Sequence, residues 1–388
     1  MNILMIARGY PTPKEPQWGC FEQDQAEALQ RYGHRVIVVC VDSRFLWRIR
    51  KIGTTIYDKD EVVYYNSFWI PGAIVSLLGG GKLSLHIRRL QLLRLYKMIV
   101  AKYGKPDIIY GQFFANTAMG VILKQKFNIP LIGIEHAGRF NNDKLDNHTK
   151  YLSNFAYSNT DAIIAVSDSL KQRLYYHFHK DSFVVHNLVA SIFETKKPDT
   201  LKKQKAFQFV STGSLLYGKG FDLLIIAFKK SKLWEKGARL IIIGEGVEKN
   251  NLQKMIDEAG LAKQISLVGR KTRAEIADIL CASHAFVLAS RSENFSVAVL
   301  EALSVGLPVV ATICGGIKEC IDEKNGLLVP VEDIDALSKA LVTMHDDYAR
   351  FDAKHIVSDY QNRFSSTVIA RQLTEIFEGV IKKKNLQE

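Results

Sequence analysis

Short apolar runs of three to six residues recur along almost the whole chain, most of them followed by a stretch with helical spacing, and the alternation is traversed twice. The first pass has strand candidates at Asn2–Ala7, Val36–Val41, Val62–Tyr65, Asp107–Tyr110, Leu131–Glu135, Ala162–Val166 and Phe183–His186. The second has Phe207–Thr212, Leu240–Gly244, Ile265–Val268, Ala285–Leu288, Pro308–Thr312 and Leu327–Val329. Runs so apolar suit strands buried on both faces, and helical crossovers are what parallel strands require. A length of 388 residues exceeds one ordinary core. The expected fold class is therefore α/β, with two Rossmann-like, doubly wound domains facing across a cleft and ligands at the carboxyl ends of the strands.

Helices are expected at Phe21–Tyr32, closed by Gly33, and at Phe221–Lys230, Val247–Ala259, Thr272–Ala282, Ser296–Val305 and Ile334–His345, with a last one over Ser366–Lys384. The lysine-rich stretch Thr195 to Lys205 reads as a linker. The expected domains are 1–190 and 191–365, with a segment 366–388 packing back towards the first domain.

No stretch of about 18 apolar residues free of charge occurs, so no transmembrane helix is expected. The opening Asn2-Ile3-Leu4-Met5-Ile6-Ala7 lacks the form of a signal peptide. Five cysteines with no CxxC pair point to reduced thiols, to a cytoplasmic location, and away from zinc or a disulfide framework. Of the net charge of +12, residues 1–190 hold +9. The excess lies at Arg44–Lys51 and at Lys82–Lys105, where seven basic residues occur with no acid. Leu85, Leu92, Leu93, Tyr96, Ile99 and Val100 interleave at helical spacing. Such a segment is either a peripheral element for an anionic membrane surface or a surface helix packing its leucine side on its own core. The basic excess alone also admits nucleic acid, but no recognisable nucleic-acid module is present.

The richest stretch runs from Ser290 to Ala311. A buried strand delivers Glu293 to the loop at its carboxyl end, and a helix starting near Ser296 turns its free N–H groups back on that loop, a ready site for a diphosphate. Glu301 lies two turns further on, so one carboxylate can address a sugar and the other the nucleoside of one extended ligand.

Glu293 and Glu301 with seven residues between them, followed by Ala302, Gly306, Pro308 and Val309-Val310-Ala311, resemble the signature of the retaining GT-B glycosyltransferases of family 4. The resemblance implies that Glu293 contacts donor-sugar hydroxyls and Glu301 the ribose. It also implies that the amides around Asn294, Phe295, Ser296 and Val297 hold the sugar and diphosphate. Gly19 to Leu29 is similar to the family's first loop and helix, with Gly19 approaching phosphates or acceptor. Gly133 to Arg139 resembles the strand end carrying the family's active-site histidine, which places His136 beside the reacting carbon. Val185 to Val189 looks like its Asn-containing turn, and Gly244-Glu245-Gly246 and Val268-Gly269-Arg270 resemble the loops framing the base. Lys219 occupies the family's diphosphate-neutralising position, whereas Ser214 stands where an Arg is usual. Arg270, Lys271, Arg273 and Arg291 are candidates to compensate.

The function these features imply is metal-independent, retaining transfer of a hexosyl-type sugar to a saccharide or lipid-linked saccharide acceptor in cell-surface polysaccharide assembly. The donor would be a nucleotide-sugar (a UDP-sugar favoured over a GDP-sugar), with no other cofactor. No Asp-x-Asp motif of the type used by the other large transferase fold stands out. The alternatives are another GT-B enzyme, acting on a small acceptor or as a sugar-nucleotide epimerase, and a non-catalytic nucleotide-sugar-binding subunit.

Overall fold

The computed structural model describes residues 1–11, 18–41, 52–68, 72–196 and 206–386. The basic cluster Arg44–Lys51 and most of the linker candidate, residues 197–205, lie outside them. Two compact units result: Met1–His186 together with Ile369–Glu388, and Asn187–Val368. The first boundary falls within the Val185 to Val189 turn, so Thr195 and Lys196 belong to the second unit.

The first unit is built on an eight-stranded sheet. Its strands are β1 (Asn2–Ala7), β2 (Arg35–Val41), β3 (Gly53–Lys59), β4 (Val62–Phe68), β5 (Ile108–Gln112), β6 (Leu131–Glu135), β7 (Ala162–Ala165) and β8 (Phe183–Val184), in the order β3-β4-β2-β1-β5-β6-β7-β8. All pairings are parallel except β3 with β4. Strands β1, β2, β5 and β6 are buried almost throughout, as their unbroken apolar runs require. Strand β3 was not expected. Its Gly53-Thr54-Thr55-Ile56-Tyr57-Asp58-Lys59 is largely polar because it lies at the sheet edge, where one side meets water.

The second unit carries β9 (Gln208–Thr212), β10 (Arg239–Ile243), β11 (Ile265–Leu267), β12 (Ala285–Leu288), β13 (Val309–Thr312) and β14 (Gly326–Val329), all parallel, in the order β11-β10-β9-β12-β13-β14. In both units the strand order reverses beside the first strand, between β1 and β5 and between β9 and β12. Successive crossovers diverge there and leave a crevice at the carboxyl ends. The fold is thus two doubly wound α/β units, as the alternation predicts. An additional helix, Ala353–Phe364, precedes the last one, Ser366–Asn385.

The basic segment is part of a long helix, Gly72–Tyr103. Leu85, Leu92, Leu95, Tyr96 and Ile99 are buried, so this face packs on the unit's own core. Arg88 and Arg89 are turned inward as well: Arg88 donates to Asn116 Oδ1 (3.3 Å), and Arg89 donates to the Ala118 carbonyl (2.9 Å) and lies over the Phe155 ring. The outward face carries Leu83, Leu90, Arg94, Lys97, Met98 and Lys102, all exposed. The last helix closes the first unit, with Leu373 and Phe377 fully buried and Phe377 edge-on to Tyr110.

Candidate active site

In the second unit the carboxyl ends of the strands converge through their glycines. Gly213 N–H donates to the Ile243 carbonyl (3.0 Å), Leu215 N–H to Glu245 (2.9 Å) and Gly244 N–H to Gly269 (3.0 Å). A Cβ on Gly244 would come within 1.8 Å of the Gly213 carbonyl oxygen, so only glycine permits the approach. Ser214 therefore lies on the same rim as Glu245 and Gly269, and Arg270 follows directly, exposed and with no ion pair among the described residues.

Glu293 sits on the loop after β12 with its side chain only 10% exposed. Its Oε1 accepts from Lys219 Nζ (2.7 Å) and from the Ser290 hydroxyl (2.8 Å). Lys219 reaches it from the turn after β9, which is fixed because Gly220, at φ +64°, lies against the Ala289 carbonyl. Behind Glu293, Gly316 N–H donates to the Asn294 carbonyl (2.9 Å), and Gly315 packs so closely that a Cβ would fall 2.0 Å from the Glu293 carbonyl oxygen. Burial, then the Glu293 charge, pushes the neighbouring Cys314 thiol up to about 11.

The Phe295 side chain is buried, and its carbonyl accepts from Asn187 Nδ2 (3.4 Å). Ser296 caps the Val297–Ser304 helix without a side-chain hydrogen bond, so the first-turn N–H groups of the helix are not spent on a capping hydroxyl. Glu301 lies on that helix at its second turn, half-buried. Lys219 and Glu293 thus meet directly.

Two of the proposed compensating cations are engaged. Arg291 forks onto Asp222 (2.8 and 2.7 Å), donates to Glu332 (3.0 Å) and stacks on Tyr217. Burial acts to raise the Asp222 pKa, and the Arg291 fork outweighs it, holding the carboxyl below its ordinary value. Lys271 pairs with Glu275 at 3.6 Å. The sequence does contain two Asp-x-Asp triplets, and both have structural employment. Asp58-Lys59-Asp60 runs from the exposed end of β3 into the β3–β4 turn. In Asp333-Ile334-Asp335, Asp333 caps a helix through Ala336 N–H and Asp335 pairs with Lys230. Among the described residues no group of three His, Cys, Asp or Glu is placed to hold a metal ion.

In the first unit His136 follows the last residue of β6, as expected for a strand-end histidine. Its Nε2 lies 3.0 Å from Gln112 Oε1, and its ring packs near Phe113 and Phe21. The preceding residue, Glu135, is fully buried and receives four donors: the N–H groups of His136 (2.8 Å), Ala137 (2.7 Å) and Phe114 (2.9 Å) and the Tyr157 hydroxyl (2.8 Å). Burial raises its pKa and these hydrogen bonds act against that rise. Phe113 is held at φ +64°, a strained conformation for a bulky side chain, with its ring under the Arg8 guanidinium at 3.9 Å. Arg8 in turn is forked onto buried Glu22 at 2.6 and 3.1 Å. Gly19 caps the Cys20–Arg31 helix at φ +75°, and a Cβ there would lie 2.2 Å from the Gly9 carbonyl oxygen. Its need for glycine is already met by that backbone contact.

Arg8, Gln112, Phe113 and Glu135 were not singled out from sequence. Only the placement of Gln112 and Glu135 as polar residues at the very ends of apolar strands signals them.

The family model for group 1 glycosyl transferases matches residues 192–361, and that for glycosyltransferase family 4 matches residues 23–190. An uncharacterised glycosyltransferase of Methanocaldococcus jannaschii is 27% identical over 276 residues, covering 70% of this chain and 75% of that protein. The glycogen synthase of Mycobacterium tuberculosis is 23% identical over 400 residues, covering 96% and 94%. Among solved structures, sucrose-phosphate synthase from Thermosynechococcus elongatus superposes with a TM-score of 0.78 at 18% identity, over 99% of this chain and all of that one. Anabaena Alr3699/HepE in complex with UDP gives 0.72 at 19% identity, over 98% of this chain and 100% of that one. At these identities the structures share the fold.

Proposed function

Because the chain belongs to the group 1 glycosyltransferases of the family 4 type, we propose that it moves a hexosyl-type sugar from a nucleotide-sugar, a UDP-sugar in preference to a GDP-sugar, to a saccharide or lipid-linked saccharide, with retention and without a metal ion. The observation that carries this reading is the Lys219–Glu293–Ser290 constellation at the mouth of the Val297–Ser304 helix. A carboxylate held at a fixed rotamer is suited to sugar hydroxyls. A partly exposed ammonium beside an open helix N-terminus is suited to a leaving diphosphate. Arg270, exposed beyond the rim that carries Ser214, is one cation to supplement Lys219 where Ser214 replaces the usual Arg. Glu293 acts as a donor-sugar contact, and attack occurs on the face the diphosphate leaves, with the departing phosphate assisting.

The UDP bound by the Anabaena relative in fold and the sugar-polymer activity in the name of the glycogen synthase support the donor and acceptor classes. The exposed Leu83, Leu90 and Met98 interleaved with Arg94, Lys97 and Lys102 support reversible contact with an anionic membrane at the cytoplasmic face, where a lipid-linked acceptor would be met. Nucleic acid is not part of this reading.

A thermal-shift screen of nucleotides and nucleotide-sugars tests it. A UDP-sugar at 100 times its dissociation constant should stabilise the protein by about 2.7 kcal/mol, and EDTA should leave both this shift and turnover intact. Turnover abolished by EDTA and restored by Mg²⁺ or Mn²⁺ would refute the metal-free mechanism. No shift with any nucleotide-sugar would refute the donor.

A further inference from the structure

Lys219 stands on a turn that apolar packing does not hold. The single 3₁₀ turn Tyr217–Lys219 has no buried side chain, and Leu216, Tyr217 and Gly218 are exposed. Its own hydrogen bonds run from Lys219 N–H to the Leu216 carbonyl (2.9 Å) and from Gly220 N–H to the Tyr217 carbonyl (3.1 Å), in the poorer geometry that keeps such turns short. Gly218 adds chain freedom that no neighbour demands, since a Cβ there would meet nothing within 4 Å. The approach of Gly220 to Ala289 fixes the turn only at its end, one residue past Lys219.

Arg291 supplies the remaining support. Its backbone N–H donates to the Gly218 carbonyl (2.8 Å). Its guanidinium donates to the Tyr217 carbonyl (2.7 Å), forks onto Asp222 (2.8 and 2.7 Å) and lies over the Tyr217 ring at 3.8 Å. These contacts fall on residues 217, 218 and 222, on both sides of Lys219. Asp222 and Glu332 already answer the charge of Arg291, and its side chain is only 13% exposed. A planar fork can bind a carbonyl and a carboxylate at once in fixed directions, which the point charge of a lysine cannot.

We propose that Arg291 is a positioning residue for Lys219: it clamps the turn over residues 217–222 and so holds the ammonium at Glu293, and what Lys219 gives a bound diphosphate depends on that clamp. This rests on the reading of Lys219 as the diphosphate's cation. It separates Arg291 from a second cation that would meet the ligand directly.

Two variants test it in the full chain. Arg291→Lys keeps the charge and loses the fork, and Asp222→Asn keeps Arg291 and takes away the carboxylate that the fork grips. Hydrogen exchange without ligand reads the clamp: the amides of Lys219 and Gly220 should exchange roughly tenfold faster in both variants, with those of β10 and β13 unchanged. Calorimetric titration with UDP reads the consequence. Each variant should lose roughly tenfold in affinity, about what one charged hydrogen bond contributes, and should lose nothing further in a Lys219→Ala background. Unaltered exchange in both variants overturns the clamp. Equal losses with and without Lys219 make Arg291 a direct ligand contact or a general support and overturn the positioning role, as does wild-type affinity in Arg291→Lys. UDP affinity indifferent to Lys219→Ala takes Lys219 away from the diphosphate and the role of Arg291 with it, and the exchange data tell that failure from a failure of the clamp.

Discussion

At the scale of single residues, the two carboxylates of the second unit make separable predictions. Glu301→Ala should weaken free nucleotide and nucleotide-sugar alike, by about 1.5–3 kcal/mol for a lost hydrogen bond to a carboxylate. Glu293→Ala should spare the free nucleotide and remove the preference for the nucleotide-sugar; titration calorimetry with UDP and a UDP-sugar distinguishes the two patterns, and equal losses in both variants would refute the division. Lys219→Ala removes the ammonium that meets Glu293 and, on the proposed reading, the main cation facing the diphosphate, so kcat should fall sharply. A second residue-scale test concerns Glu135. Three of its four donors are backbone N–H groups, which cannot turn round to accept, so Glu135→Gln must aim its amino group at one of them. The variant should lose about 1–3 kcal/mol in urea melts. Glu293, Glu301 and Lys219 were legible in the sequence because a motif surrounds them. Glu135 and Gln112 were not, because a polar residue closing an apolar strand looks the same whether it faces water or a network.

The helix Gly72–Tyr103 shows how far an element can be read from its pattern. The basic and leucine positions were legible as an amphipathic helix, but spacing alone did not say which basics serve the protein. The structure divides them: Arg89 donates to the Ala118 carbonyl and its burial lowers its pKa, whereas Arg94, Lys97 and Lys102 face outward. Charge reversal of Arg94, Lys97 and Lys102 together should abolish co-sedimentation with anionic vesicles at low salt, each residue being worth about 1 kcal/mol at such a surface. Arg89→Glu should instead lower the melting temperature. Vesicle binding indifferent to both salt and the outward charges would remove the membrane claim. The Cys20–Arg31 helix was legible in outline and opaque in character. Glu22, Gln23, Asp24, Gln25 and Glu27 have the composition of a solvated face, yet all are buried: Glu22 meets Arg8, Gln25 meets Tyr110 and Gln112 from other elements, and Gln23 donates to Glu27 one turn on.

For the molecule as a whole, the double alternation made both sheets legible, since a fully buried parallel strand must be apolar on both faces. The β3 edge and the Ala353–Phe364 helix escaped because an edge strand alternates with water and an amphipathic helix beside a longer one leaves no distinct boundary. That the first unit is assembled from both ends of the sequence has a measurable pH signature. His34 Nε2 lies 2.8 Å from Thr374 Oγ1, joining the start of β2 to the last helix. Burial, then the N-terminal ammonium, lowers its pKa below the ordinary value of 6.5, so the folded ring is neutral where the unfolded ring binds a proton. Its contribution is therefore present above about pH 6.5 and lost as pH falls through the lowered folded value. Melting temperature should decline over that window in wild type and more shallowly in His34→Gln. The same interleaving also sets an order on biosynthesis. Residues 187–368 must leave the ribosome before the helix that covers the first sheet exists, a delay of roughly 10–40 s at ordinary translation rates. Throughout that interval the seat of Leu373 and Phe377 is an uncovered apolar surface on a nascent domain, a natural target for a chaperone and a natural place for the chain to go astray.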